Sequence, residues 1–287
     1  MKKVLVTGSN GFLASRFSEY YKDKYDILPL SHKELDITNE NQVYDLFKNN
    51  KIDIVFHCAA ISDTGRCQRE PKLAQEINVG GTVNIAKGCE LNNSTLIFAS
   101  SDQLYAGNEE QGPYKEDIIL KPNNIYGDTK LEAEKEIKNR LEKYYNLRLT
   151  WMFSYGERNK RVNTNIITNI LNAALKGEKI SLATNEYRGI SYVYEVIENI
   201  EKLINIPFGD YNFGCENDIC TYDIGCSVLE NLGLQNRIED IIIKDTDRFK
   251  DKKRDLRINN TKLRDNGIYF DSTQEAIARC IKEFNNI

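Results

Sequence analysis

The sequence is short of the residues that build metal centres and membrane spans. Its 287 residues include only two histidines, His32 and His57, and one tryptophan. None of its seven cysteines forms a Cys-x-x-Cys pair. Only Cys215, Cys220 and Cys226 fall near one another, with no histidine close by in the chain. Those spacings exclude a zinc-type ligand set, so no metal is expected, and they predict reduced thiols in a cytoplasmic protein. No apolar run approaches the roughly 18 residues of a membrane helix. The stretch after Met1-Lys2-Lys3 is cut short by Gly8, which predicts no secretory leader. Positive charge is not in excess: the net charge of -4 gives no basis for nucleic acid or an anionic membrane as partner. With 40% hydrophobic and 29% charged residues, the chain can bury a substantial core as one large domain or two lobes.

What the chain does have is a regular alternation of strand-like and helix-like runs. Lys3–Val6 reads as a buried strand, and Thr7-Gly8-Ser9-Asn10-Gly11-Phe12-Leu13-Ala14 as a turn entering a helix. Glycines at 8 and 11 with Ala14 let a backbone approach a pyrophosphate, and the helix N-terminus points free N–H groups at its charge. After the first strand of a βαβ run this is a dinucleotide signal, so Gly8, Asn10, Gly11, Phe12 and Leu13 are candidate cofactor residues. Tyr25–Leu30 is the second strand, where an acid would hold the adenosine ribose hydroxyls and favour NAD. Here Ser31-His32-Lys33 follow, and a hydroxyl with a cation suits a 2′-phosphate, so NADP is preferred to NAD. Asp36 reaches the adenine or only shapes its loop, and Ile37 lies beside it. Asn39–Asn49 reads as a helix capped by Thr38 or Asn39. Ile52–His57 is the third strand, and the small Ala59 and Ala60 beyond it leave room for a ligand. Pro71 through Leu91 reads as a helix containing Asn78 and the pair Gly80-Gly81, which implies close packing there. This order predicts an α/β fold with a parallel sheet covered on both faces.

Residues 99–130 carry the chemistry. The strand Thr95–Ser100 ends in Ser101-Asp102-Gln103, a polar loop follows, and a helix opens with Tyr126 and Lys130 four apart. That spacing puts both on one helix face, where the ammonium is expected to ease ionisation of the phenol. A hydroxyl from the strand end could hold a carbonyl oxygen against the phenol. Hydride addition to a ketone creates an alkoxide, which needs such a donor already in place.

Five motifs in order now carry a resemblance: Thr7-Gly8-x-x-Gly11-Phe12-Leu13, His57-Cys58-Ala59-Ala60, Asn78, Ser100-Ser101-Asp102 and Tyr126-x-x-x-Lys130. They resemble the extended short-chain dehydrogenase/reductase family of nucleotide-sugar enzymes. Within it the likeness is greatest to the 4-dehydrorhamnose reductases, through Glu34-Leu35-Asp36-Ile37-Thr38, Glu70-Pro71-x-x-Ala74-x-x-Ile77-Asn78 and Pro122-x-Asn124-x-Tyr126-Gly127-x-Thr129-Lys130-Leu131-x-x-Glu134. The resemblance implies a Rossmann-type doubly wound parallel sheet at 1–155, to which some later segments return, and a smaller C-terminal α/β substrate lobe at 156–287. It implies NADP(H)-dependent reduction of a 4-keto nucleotide sugar, and a homodimer is the expected assembly. Tyr126 would protonate the substrate oxygen, Lys130 would hold the nicotinamide ribose, and Ser101 would bond the reacting oxygen. Ser62, Ser101, Asp102, Gln103, Phe153 and Arg188 are the expected substrate contacts. Two other functions are weighed: a nucleotide-sugar epimerase, and a cofactor-binding regulatory subunit like that of methionine adenosyltransferase.

Departures from the family pattern mark the sugar pocket. Related dehydratases carry an acid where this chain has Gln103, which cannot take a proton from carbon, so elimination is not expected. Asp102 alone is read as capping the following loop. Phe153 stands where the rhamnose-type reductases favour a tryptophan, with Trp151 two residues earlier on the same strand face. Arg188-Gly189 resembles a family segment whose arginine meets the nucleotide diphosphate, which suits a bidentate guanidinium. Helices are expected at Asn163–Lys176, Thr221–Leu232 and Thr273–Phe284. The basic run Lys252-Lys253-Arg254-Asp255-Leu256-Arg257 is read as a solvated charge run with phosphate contact as the alternative.

Overall fold

A computed structural model of the chain describes residues 1–157, 160 and 163–285. Two units separate: Met1–Asn108 with Ile119–Arg148 and Glu201–Tyr211, and Glu109–Ile118 with Leu149–Ile200 and Asn212–Ile287. Residues 109–118 and 201–211 each leave the run of chain that contains them.

In the first unit the chain alternates β1 (Lys3–Thr7), α1 (Phe12–Tyr21), β2 (Asp26–Leu30), α2 (Glu40–Asn49) and β3 (Ile54–His57). It continues through α3 (Thr64–Arg69), α4 (Pro71–Gln75), α5 (Thr82–Asn92), β4 (Thr95–Ser101), α6 (Ile125–Arg140) and β5 (Tyr144–Leu149). The six-stranded sheet runs Gly209–Phe213, β5, β4, β3, β1, β2. Val4 lies beside both Ile27 and Ile54, and Ile54 beside Thr95, all in parallel register. Unbroken apolar runs such as Val4-Leu5-Val6 suit strands covered on both faces. Leu5, Val55, Leu96 and Phe98 from the sheet meet Ile85, Ala86 and Ile137 from the helices in one buried cluster.

The long helix expected from Pro71 is interrupted by a π-helical turn at Glu76–Gly81. Gly81 lies there against the side chain of Ile37, with no room for a Cβ, so the glycine serves close packing. Asn39, not Thr38, caps α2 by accepting from the Gln42 amide. α3 had no counterpart in the sequence reading; Asp63 caps it by accepting from the Arg66 amide.

The second unit is built from short parallel pairs: Trp151–Phe153 with Ile190–Tyr192, Ile180–Ala183 with Ile242–Asp245, and Glu186–Arg188 with Arg254–Leu256. Its longer helices are Ile166–Lys176, Thr221–Asn231 and Thr273–Asn285. The first of these starts in a capping box between Asn165 and Thr168. Gly189 abuts the Cys215 carbonyl, where any Cβ would collide with backbone. Among the described residues no helix is long and apolar enough to cross a membrane.

Candidate active site

β4 carries Ser100 and Ser101 to its C-terminal end, and a 3-10 turn at Asp102–Tyr105 follows. Ser101 caps that turn, its Oγ accepting from the Gln103 amide at 3.2 Å. The capping role expected of Asp102 thus falls to Ser101, whose hydroxyl already points across the strand end. Asp102, 2% exposed, accepts instead from Ser101 Oγ and Gln103 Nε2, each at 3.3 Å. Asn124 caps α6 through the Gly127 amide, and its Nδ2 also donates to Gln103 Oε1 at 3.4 Å.

Tyr126, Lys130 and Glu134 recur every fourth residue and so share one face of α6. All three are buried. The Lys130 ammonium donates to the Ala99 carbonyl at 2.7 Å and lies 4.4 Å from the centre of the Phe98 ring. Burial pulls Lys130 down to about 8, while Cys58 and Glu134 act in the opposite direction. The Tyr126 phenol is pushed above its ordinary value, chiefly by burial and also by Asp102, against a hydrogen bond from Ser101. Easier ionisation through Lys130 was the expectation; the shift instead runs upward and is set by burial, Ser101 and Asp102.

Behind this face sits a charge cluster that the sequence reading did not assemble. Glu134 accepts from Ser100 Oγ at 2.6 Å and from the Arg148 guanidinium at 3.2 and 3.0 Å. Arg148 also donates to the Tyr105 hydroxyl at 3.0 Å and to Asp210 at 3.3 Å. The available signal was an arginine inside the apolar run Leu147-Arg148-Leu149, since a buried cation requires a partner.

A second buried chain of hydroxyls ties the glycine turn to α6. Thr7 Oγ1 accepts from the amides of Cys58 and Ala59, so its proton goes to His57 Nδ1 at 2.7 Å. Thr82 donates to the Asn78 carbonyl at 2.7 Å, which leaves it to accept from His57 Nε2 at 3.0 Å. These partners assign the Nε2–H tautomer. Burial, with Lys130 second, pulls His57 down to about 3, so the ring is neutral. The Asn78 carboxamide accepts from the Ile61 amide and donates to the Ile61 carbonyl and to Thr129, whose hydroxyl donates to the Tyr126 carbonyl. Asn78, expected to touch a cofactor, has its side chain committed to joining the β3 end to α6. Thr82 was not singled out, and Thr7 and Thr129 entered only as motif letters without a role, because a lone buried threonine leaves no spacing signature.

On the nucleotide side, Gly8 takes φ +65°, and a Cβ there would come 2.9 Å from the Ala59 backbone. Gly11 begins α1 with no side-chain cap, leaving the first-turn N–H groups outside the helix ladder. A diphosphate fits that cradle. Asn10 is exposed beside it, whereas the Phe12 and Leu13 side chains are core residues, so only their backbone can serve a ligand. Ala59 and Ala60 are half-buried at the β3 end. Ser31 gives both its amide and its hydroxyl to Glu34, at 2.8 and 2.7 Å, while His32 and Lys33 are exposed. Asp36 shapes its loop by accepting from the Thr38 amide and hydroxyl, bonds that hold its carboxyl below the usual range. Ile37 is buried, and its carbonyl accepts from Asn84.

Ser62 is exposed just past Ile61. Phe153 is 1% exposed, with its ring against Tyr192 in the second unit. Trp151 is the more open ring of that strand, and the Arg188 guanidinium lies 5.1 Å from its centre.

Three comparisons with known proteins bear on this geometry. The sequence profile described as RmlD substrate binding domain matches residues 1–286. A dTDP-4-dehydrorhamnose reductase of Aggregatibacter actinomycetemcomitans is 26% identical over 84% of this chain and 83% of that protein. The crystal structure of a Bacillus anthracis dTDP-4-dehydrorhamnose reductase in complex with NADP superposes with a TM-score of 0.87 at 25% identity, covering 99% of both chains. Methionine adenosyltransferase 2 subunit beta of Xenopus laevis is 26% identical over 81% of this chain and 73% of its own length.

Proposed function

Because the chain belongs to the RmlD substrate binding domain family, we propose that it is an NADPH-dependent reductase of a 4-keto nucleotide sugar, with Tyr126 as proton donor. The observation that carries this reading is the buried Tyr126 phenol and the Lys130 ammonium on one face of α6, beside Ser101 at the end of β4.

NADPH, when bound, supplies hydride to the carbonyl carbon. Gly8, Gly11 and the first-turn amides of α1 hold its diphosphate, with Asn10, Ala59 and Ala60 lining the approach. Ser31, His32 and Lys33 lie at the β2 end, where the adenosine ribose is held in such sheets. As charge develops on the substrate oxygen, Tyr126 Oη donates its proton to it and Ser101 Oγ steadies it by hydrogen bonding. A phenol held above its ordinary value is fully protonated near neutral pH, the state a donor needs. Lys130 places a positive charge beside the developing negative one. Gln103 has no group able to remove a proton from carbon, which sets this site apart from elimination chemistry. Ser62, Asp102 and Gln103 are the candidate substrate contacts, and Arg188 is the candidate for a nucleotide diphosphate.

The test is turnover by purified protein with NADPH or NADH and a panel of dTDP-, UDP- and GDP-4-keto sugars. Oxidation of NADPH coupled to loss of at least one keto sugar is the expected result. No oxidation of either cofactor across the panel would remove the reductase reading and leave cofactor binding as the activity to measure.

A further inference from the structure

The cluster behind the α6 face is not used by the chemistry above, yet it touches that chemistry twice. Glu134 bonds Ser100, the residue before the hydroxyl that faces Tyr126. It also stands one helical turn after Lys130 on the same face. Its third set of contacts, to Arg148, anchors it to β5. We propose that Glu134 is a positioning residue of the site, fixing the Ser100-Ser101 strand end by hydrogen bond while supplying the negative charge that keeps the Lys130 ammonium charged. This inference rests on the reductase reading.

Lys130 is surrounded mostly by groups that cannot balance it. From α6 it has Tyr126 and Glu134; from β3 and the residue after it, His57 and Cys58; from α3, Cys67; from β4, the Ala99 carbonyl and the Phe98 ring. His57 is neutral, and burial pushes both thiols up, so they are uncharged as well. Among these groups, Glu134 is the carboxylate, and it raises the Lys130 proton affinity against burial. Glu134 itself faces Ser100, Arg148 and Tyr144, with Tyr105 and Asp210 reaching it through Arg148. Asp210 in turn pairs with Lys138. Arg148 is therefore shared between Glu134 and Asp210.

The measurement is kcat against pH for NADPH oxidation with the keto sugar found by the panel. Lys130 is needed charged and sits at about 8, so wild-type activity falls on the alkaline side as that proton leaves. Removing the Glu134 charge lowers the affinity of Lys130 for its proton. Glu134→Gln should move the alkaline limb down by about one pH unit, and Glu134→Asp should move it back toward wild type. Ser100→Ala, which removes only the hydrogen bond, should lower kcat and leave the limb in place. If Glu134→Gln does not fold, the double variant Glu134→Gln/Arg148→Met removes both buried charges, and its limb should shift in the same direction by less, because losing the Arg148 cation partly restores the Lys130 proton affinity. An unmoved limb in either folded variant would overturn the role of Glu134 while wild-type turnover still stands. Absence of wild-type turnover overturns the reductase reading instead.

Discussion

The two units handle their cations differently. In the first, Arg148 and Glu134 pair with both side chains 1% exposed, and the pair reaches Ser100, Tyr105 and Asp210. In the second, Arg254 meets Glu186 with side chains 31% and 11% exposed, and Arg257 meets Asp255 two residues away. The basic run from Lys252 to Arg257, with phosphate contact as one reading, thus has both arginines held by carboxylates of their own unit. A fully buried pair must satisfy every proton or lose several kcal/mol, which forces a network; a pair whose arginine is about a third exposed shares that charge with water. The first arrangement frames a site, and the second ties Gly112 to the strand Arg254–Leu256, where Asp255 accepts from the Gly112 amide and Arg257 donates to the Gly112 carbonyl.

The sharpest way to separate the regions is at the reacting atoms. Tyr126→Phe removes the proton donor, and NADPH oxidation should fall about 10²–10⁴-fold while the NADPH dissociation constant is unchanged; unaltered turnover would take Tyr126 out of the chemistry. Next comes stability. Arg148→Met leaves Glu134 charged and buried, and chemical denaturation should show a loss of about 3–5 kcal/mol. A smaller effect concerns His57. Its folded value of about 3 lies below its ordinary 6.5, so the unfolded chain binds the proton more readily. The stability this neutral ring contributes is present above pH 6.5 and is lost as pH falls toward 3. Between pH 6.5 and 5 the loss should be about 2 kcal/mol, and His57→Gln should flatten that slope in denaturation curves. Smallest is Arg254→Met in the second unit, expected to cost under about 1 kcal/mol; a cost matching that of Arg148→Met would erase the contrast between the units.

Most of the first unit was legible because its signals are local. A glycine needing positive φ at residue 8, alternating apolar runs, and the four-residue spacing of Tyr126 and Lys130 are all read along the chain. The helices at 166–176, 221–231 and 273–285 were legible for the same reason. The π-helical turn at Glu76–Gly81 was not, since it answers to the packing of Gly81 on Ile37, a contact between distant segments. Phe153 was placed by its likeness to a family tryptophan position, which carries no information about how deeply this ring is packed against Tyr192. Ser31 was read as a free donor, and only folding shows Glu34 taking both of its protons.

By itself, then, the sequence determined the α/β order, the glycine turn and the Ser101, Tyr126 and Lys130 set, because each depends on residues within a few turns or on one strand end. Tertiary structure alone decided the electrostatics of that set. Burial is a property of the whole fold, and it holds the Tyr126 proton on and loosens that of Lys130. The partners that decide the balance, Glu134 with Arg148 and His57 between Thr7 and Thr82, come together only when β1, β3, β5, α5 and α6 have closed around them.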